Sequence, residues 1–150
     1  MRALLAGTFD PPTFGHLDLI ERSLKLFDEV YVGIATNPAK KPLIPLEMRK
    51  KLLQSLIKTQ VITIEGLVTD FAKKNKIELL VRGLRSFADL NRELQMGEMN
   101  KKLSGIETIF IPGNPNLAHI SSSLVRELAY HGAKLGDLVP EETLKFLRKK

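Results

Sequence analysis

Short apolar runs alternate with amphipathic stretches along the whole chain. Arg2–Ala6 reads as a first strand, and Val30–Ala35, β-branched and apolar, as a second. Val61–Ile64, Ile77–Val81 and Glu107–Ile111 predict three more. Between them the apolar positions recur at helical spacing. Gly15–Phe27 places Leu17, Ile20, Leu24 and Phe27 on one face, and Leu46–Ile57 turns Leu52, Leu53 and Leu56 inward. Leu67–Lys74 predicts a short helix and Ala88–Leu103 a long one, while Ser122–Tyr130 and Pro140–Lys149 are helices after the last strand. Asn37-Pro38, Arg82-Gly83 and Pro112 mark strand ends. With no repeat, low-complexity tract or linker, the expectation is one domain over residues 1–150.

Strands alternating with helices predict an α/β fold: a doubly wound, five-stranded parallel sheet covered on both faces. Ligands of such sheets bind beyond the carboxyl ends of the strands, near the point where the strand order reverses. Five short segments therefore carry the search for function.

The first is Gly7-Thr8-Phe9-Asp10-Pro11-Pro12-Thr13-Phe14-Gly15-His16. Gly7 has no Cβ, so the reading expects a ligand to approach its backbone. Thr13 is placed to cap the helix that follows, and a helix start offers N–H groups and a positive dipole end to a phosphate. His16, in the first turn, can donate to an oxygen that gains charge during reaction. After strand two, Lys40 and Lys41 lie in a proline-bounded loop suited to phosphate. After strand three, Gly66-Leu67-Val68 is small and apolar, suited to the apolar part of a ligand or simply to a helix start. After strand four, Arg82-Gly83-Leu84-Arg85 offers two planar forks to phosphate oxygens. Glu93 and Asn100, about two turns apart, share a face of the next helix. After strand five, Ile120-Ser121-Ser122-Ser123 opens a helix with hydroxyls and N–H groups, a second anion site or a plain cap.

Composition narrows the chemistry. The chain of 150 residues has no cysteine, which removes disulfides, thiolate metal sites and cysteine nucleophiles and is compatible with the cytoplasm. No apolar run reaches the length of a membrane span. A net charge of +6 suits anionic partners. The basic residues are scattered, aromatics are 6% and tryptophan is absent, so phosphorylated metabolites fit better than nucleic acid.

The segment Gly7–His16 resembles the (H/T)xGH signature of the nucleotidylyltransferase superfamily, a Rossmann-like fold distantly related to class I aminoacyl-tRNA synthetases. Joined in order with Asn37–Pro42, Arg82–Arg85 and Ile120–Glu127, it resembles the bacterial phosphopantetheine adenylyltransferase family. The similarity runs from Arg2 to the C-terminal segment around Gly136–Leu147. The resemblance implies transfer of AMP from ATP to 4′-phosphopantetheine, giving dephospho-coenzyme A and pyrophosphate, with magnesium, in hexamers. By position it implies that Thr8, Lys40, Val68 and Arg82 contact the phosphopantetheine. Thr8, Phe9, His16, Gly83, Leu84, Arg85 and Glu93 would contact ATP, with Leu117, Ala118, His119, Ile120, Ser121, Ser122 and Ser123. His16 would stabilise the transition state. Where the family commonly carries aromatics, Arg92 precedes Glu93 and His119 precedes the serine motif.

Such an acceptor is a phosphate monoester, mostly dianionic at neutral pH. It needs positioning and charge cancellation rather than a base. The inventory agrees: Lys40, Arg82, Arg85 and His16 are donors, and no carboxylate–histidine dyad stands out. Magnesium would ride on ATP oxygens, with no fixed protein ligand. Two other readings share these residues: a nucleotidylyltransferase with another phosphate acceptor, and a nucleotide-binding regulator without turnover.

Overall fold

The computed structural model describes residues 1–36 and 41–148. In chain order the elements are β1 (Arg2–Gly7), α1 (Phe14–Leu26), β2 (Glu29–Ala35), α2 (Leu46–Leu56), β3 (Gln60–Ile64) and α3 (Val68–Lys74). Then come β4 (Leu79–Leu84), α4 (Phe87–Ser104), β5 (Glu107–Pro112), α5 (Ser122–Tyr130) and α6 (Glu141–Arg148). The five strands form one sheet in the order β3-β2-β1-β4-β5, every pairing parallel. The chain builds outward from β1 to β3, then returns to the other side of β1 for β4. The order therefore reverses between β1 and β4, and their carboxyl ends flank the crevice where ligands bind.

Both sheet faces are apolar because both are covered. Ala3 and Leu5 of β1 join Val30, Val32 and Ile34 of β2 beneath Ile20 of α1 and Leu53 of α2. The alternate residues, Leu4 and Ala6, face the other way with Ile64, Leu80 and Ala72 of α3. Two glycines permit close layers. A Cβ on Gly33 would lie 2.4 Å from Ile64 Cδ1, and one on Gly97 would lie 3.2 Å from Phe110 Cζ. A third, smaller core of Ile120, Val125, Leu135, Val139 and Leu144 joins α5 to α6 and receives Phe14. The Phe14 N–H donates to the Leu138 carbonyl at 3.2 Å, which docks this unit on the start of α1.

The five-stranded doubly wound sheet agrees with the sequence reading, but the bounds of its fourth strand move. The fourth strand, expected over Ile77–Val81, runs from Leu79 to Leu84. The Ile77 N–H closes back onto the Ala72 carbonyl at 2.9 Å, behind Lys76 at φ 54°. Arg82, Gly83 and Leu84 continue the ladder opposite Phe110, Ile111 and Pro112. Arg82 and Gly83 are thus strand residues, and the turn begins at Arg85. A short 3₁₀ turn, Pro115–Leu117, which the pattern did not predict, leads into α5. Among the described residues no helix is long and apolar enough to cross a membrane.

Candidate active site

Thr13 caps α1. Its hydroxyl accepts from the His16 N–H at 3.4 Å, and the Thr13 N–H donates to His16 Nδ1 at 3.1 Å, closing a reciprocal box. Nδ1 is an acceptor in that bond, so the neutral ring carries its proton on Nε2, the nitrogen left for a ligand. Burial first, then the fields of Arg85 and Arg82, lower the His16 pKa from 6.5 to about 4. Near neutral pH the ring is therefore a fixed, uncharged donor. Phe9 sets its plane: the two rings meet edge to face with centroids 4.9 Å apart. The Phe9 side chain is 1% exposed and belongs to the sheet core, so what it offers a ligand is backbone. Its ring also occupies the space beside Gly7, 3.3 Å from where a Cβ would lie, so Gly7 makes room for Phe9 rather than for a ligand.

Across the crevice, Arg82 is held by three bonds. Its Nε and Nη2 donate to the two Glu93 carboxylate oxygens at 2.7 and 2.9 Å, and Nη1 donates to the Ala6 carbonyl at 2.7 Å. A guanidinium has five N–H groups, so one on each terminal nitrogen remains for an anion. Glu93, which the sequence reading set with the ATP contacts, thus orients the side chain set with the acceptor. Arg85 lies just past β4, donating from Nε to Asp89 at 3.1 Å and from Nη1 to the Ile120 carbonyl at 3.3 Å. Gly83 lets α1 approach β4, since a Cβ there would meet Leu19 Cδ2 at 2.9 Å. Leu84 ends the strand beside it.

The serine motif closes the third side. Ser121 caps α5, accepting from the Leu124 N–H at 3.1 Å. The Ser122 hydroxyl donates to the Pro11 carbonyl at 2.9 Å, and Ser123 Oγ accepts from Arg126 Nη2 at 3.0 Å. Ile120 is buried in the third core, with Leu117 and Ala118 half-buried and His119 exposed before it. Val68 opens α3 and packs against the core on the β3 side. Lys40 lies outside the described residues.

Three residues that the sequence reading gave no role tie these segments together. Arg49, buried in α2, donates from Nη1 to the Thr8 carbonyl at 2.6 Å. Arg126 donates from Nη1 to the Asp10 carbonyl at 2.6 Å. The Asp10 carboxylate accepts from the Leu43 and Ile44 N–H groups, both at 2.8 Å. A signal existed for one of them: Arg49 precedes Leu52, Leu53 and Leu56 at helical spacing, so the period itself places a charge on the buried face.

Cationic and N–H donors thus converge at the β1–β4 crevice, around a neutral histidine. Residues 4–128 match the cytidylyltransferase-like family. The phosphopantetheine adenylyltransferase of Streptomyces coelicolor is 45% identical over 97% of this chain and 94% of its own length. That of Symbiobacterium thermophilum is 44% identical over 100% and 96%, and that of Campylobacter jejuni (strain 81-176) 45% over 99% and 97%. In structure the chain superposes on a Vibrio parahaemolyticus protein assigned as a nicotinate-nucleotide adenylyltransferase. That match has a TM-score of 0.71 and 20% identity, covering 99% of this chain and 91% of the other, and it shows a shared fold. Fold, site and full-length similarity agree, and the chain belongs to the phosphopantetheine adenylyltransferase family within the cytidylyltransferase-like proteins.

Proposed function

We propose that this chain transfers AMP from ATP to 4′-phosphopantetheine, giving dephospho-coenzyme A and pyrophosphate, a step of coenzyme A biosynthesis. The observation that carries it is identity of 44–45% over nearly the full length of relatives bearing that activity in their name. The site is consistent with it. An acceptor phosphate arrives ionised, so the protein's work is to hold two anions in line and spread the charge that builds between them. Arg82, steadied by Glu93, serves the acceptor with Thr8 and Val68, and the family resemblance adds Lys40. His16 donates from Nε2 to the α-phosphoryl oxygens as charge develops. Arg85, with Gly83 and Leu84 and the segment from Leu117 to Ser123, receives the ATP.

Magnesium enters on the ATP oxygens, where it neutralises phosphate charge. The carboxylates beside the crevice are already engaged, Asp10 by two backbone N–H groups and Glu93 by Arg82, which suits a metal carried by the nucleotide. We place the reaction in the cytoplasm, the compartment that supplies ATP. We further propose a closed homo-oligomer, a hexamer in keeping with the family. Supporting it, Met96, Met99 and Leu103 recur at i, i+3 and i+7 on α4, an apolar stripe left about half exposed.

The test is pyrophosphate release from ATP with a panel of acceptors. Turnover with 4′-phosphopantetheine and none with pantetheine, which lacks the nucleophile, is the expected outcome. Preference for nicotinamide mononucleotide or a sugar phosphate would overturn the acceptor assignment.

A further inference from the structure

Asp10 is 5% exposed, yet none of the roles above uses its side chain. Both carboxylate oxygens are spent on backbone: Oδ2 accepts from the Leu43 N–H and Oδ1 from the Ile44 N–H, each at 2.8 Å. Those amides belong to the segment that leads into α2, beginning three residues after Lys40. Asp10 itself follows Phe9, whose ring meets His16, and its carbonyl is held by Arg126 in the middle of α5. One residue therefore joins the reaction-centre loop, the Leu43 and Ile44 amides that lead into α2, and the helix α5 that closes the third side. Sequence distance makes the link informative, since 33 and 34 residues separate the partners. A buried carboxylate is costly unless hydrogen-bonded to its charged form, and two N–H donors on separate oxygens satisfy that condition. The simpler polar choice, Asn, presents one acceptor oxygen and one NH₂ group, so it can receive only one of the two amides and turns a donor toward the other.

We infer that Asp10 is a positioning residue for the acceptor: it fixes Leu43 and Ile44, just ahead of α2, against the loop of Phe9 and His16, setting the distance between the bound acceptor and the reaction centre. The inference rests on the reading above that Lys40 serves the acceptor. Asp10 touches neither substrate in this scheme. Its loss therefore misplaces one substrate relative to the other without emptying either pocket.

Asp10→Asn, isosteric with the native residue, is the test, read in two ways. In steady-state kinetics with each substrate varied, KM for 4′-phosphopantetheine should rise about 10-fold or more and kcat should fall by a similar factor, while KM for ATP stays within about twofold. In hydrogen exchange, the Leu43 and Ile44 amides should exchange at least about 10-fold faster, with the Thr13–His16 cap unchanged. If the variant does not fold, Asp10→Ser, whose hydroxyl can accept one N–H, serves in its place. A merely structural residue would move both KM values together, in step with the fall in Tm. That outcome, or unchanged exchange at Leu43 and Ile44, overturns the inference. A wild-type chain that ignores phosphopantetheine would instead sink the functional reading, and exchange at the two amides would still decide whether Asp10 is the link.

Discussion

His16 is neutral by construction. Its Nδ1 accepts a backbone N–H, and burial with two nearby arginines resists a second proton. The folded pKa of about 4 lies below the ordinary 6.5, so between those values the unfolded chain binds a proton that the folded chain refuses. The contribution to stability is intact above pH 6.5 and is lost as pH falls through that window toward about 4. The loss is about 1–3 kcal/mol, the lower end allowing for partial exposure of the ring. His16→Gln isolates it, because glutamine at this position preserves the capping box while removing the titration. Denaturant melts of both proteins should agree near pH 7 and diverge as pH falls toward 4, the wild type losing stability that the variant keeps, and the variant should lose roughly 10²–10³ in kcat. The Arg82–Glu93 pair gives a second expectation. Arg82→Ala should raise KM for phosphopantetheine and lower kcat, with less effect on ATP, and Arg82→Lys should recover only part. Glu93→Ala, by freeing Arg82, should reproduce some of the acceptor defect. An effect of Glu93→Ala confined to ATP would show that the two residues act separately. At this scale the sequence was readable where chemistry is local: Thr13 and His16 are three residues apart and cap one helix. The Arg82–Glu93 pair, the Arg49–Thr8 bond and the Asp10 link depend on which elements the sheet brings together, which spacing alone does not state.

Among elements, hydrophobic period located every strand and α-helix but misplaced some of their ends. Arg82-Gly83 looks like a terminator, yet the ladder runs on through it because Glu93 and the Ala6 carbonyl satisfy the charge and β5 continues alongside. Conversely Ile77 looks like strand but closes α3. Phe87, 88% exposed, carries no periodic signal, yet it opens α4, which Ser86 caps one residue earlier than the pattern predicts. The layers between elements set another expectation. Gly33 sits in β2 with strands on both sides, and any Cβ there meets Ile64 and Leu4. Gly33→Ala should cost about 1–3 kcal/mol by overpacking. Since β2 contributes no side chain to the crevice described here, kcat at a temperature where the variant is folded should remain near the wild-type value. Chemical denaturation alongside turnover separates the two effects.

At the scale of the molecule, Met96, Met99 and Leu103 form a half-exposed apolar stripe on α4. Met99→Glu should place a charge in an apolar interface and shift light scattering toward smaller species at micromolar concentration. A wild-type chain already monomeric under those conditions would remove the oligomer proposal. The cytidylyltransferase-like sheet was legible in outline because both its faces must be apolar, whereas the proposed assembly rests on a few exposed apolar residues on one helix. The third core has a different consequence. It holds five buried residues and meets the rest through Phe14 and a few polar bonds, while the sheet's two cores are larger and continuous. Its opening should therefore require less free energy than melting the sheet, making it a separate cooperative unit. Because that unit carries the serine motif, mild denaturant should abolish ATP binding before the strand signal in circular dichroism declines. The same opening would give the adenylylated product, bulkier than the acceptor that entered, a hinged exit that leaves His16 in place.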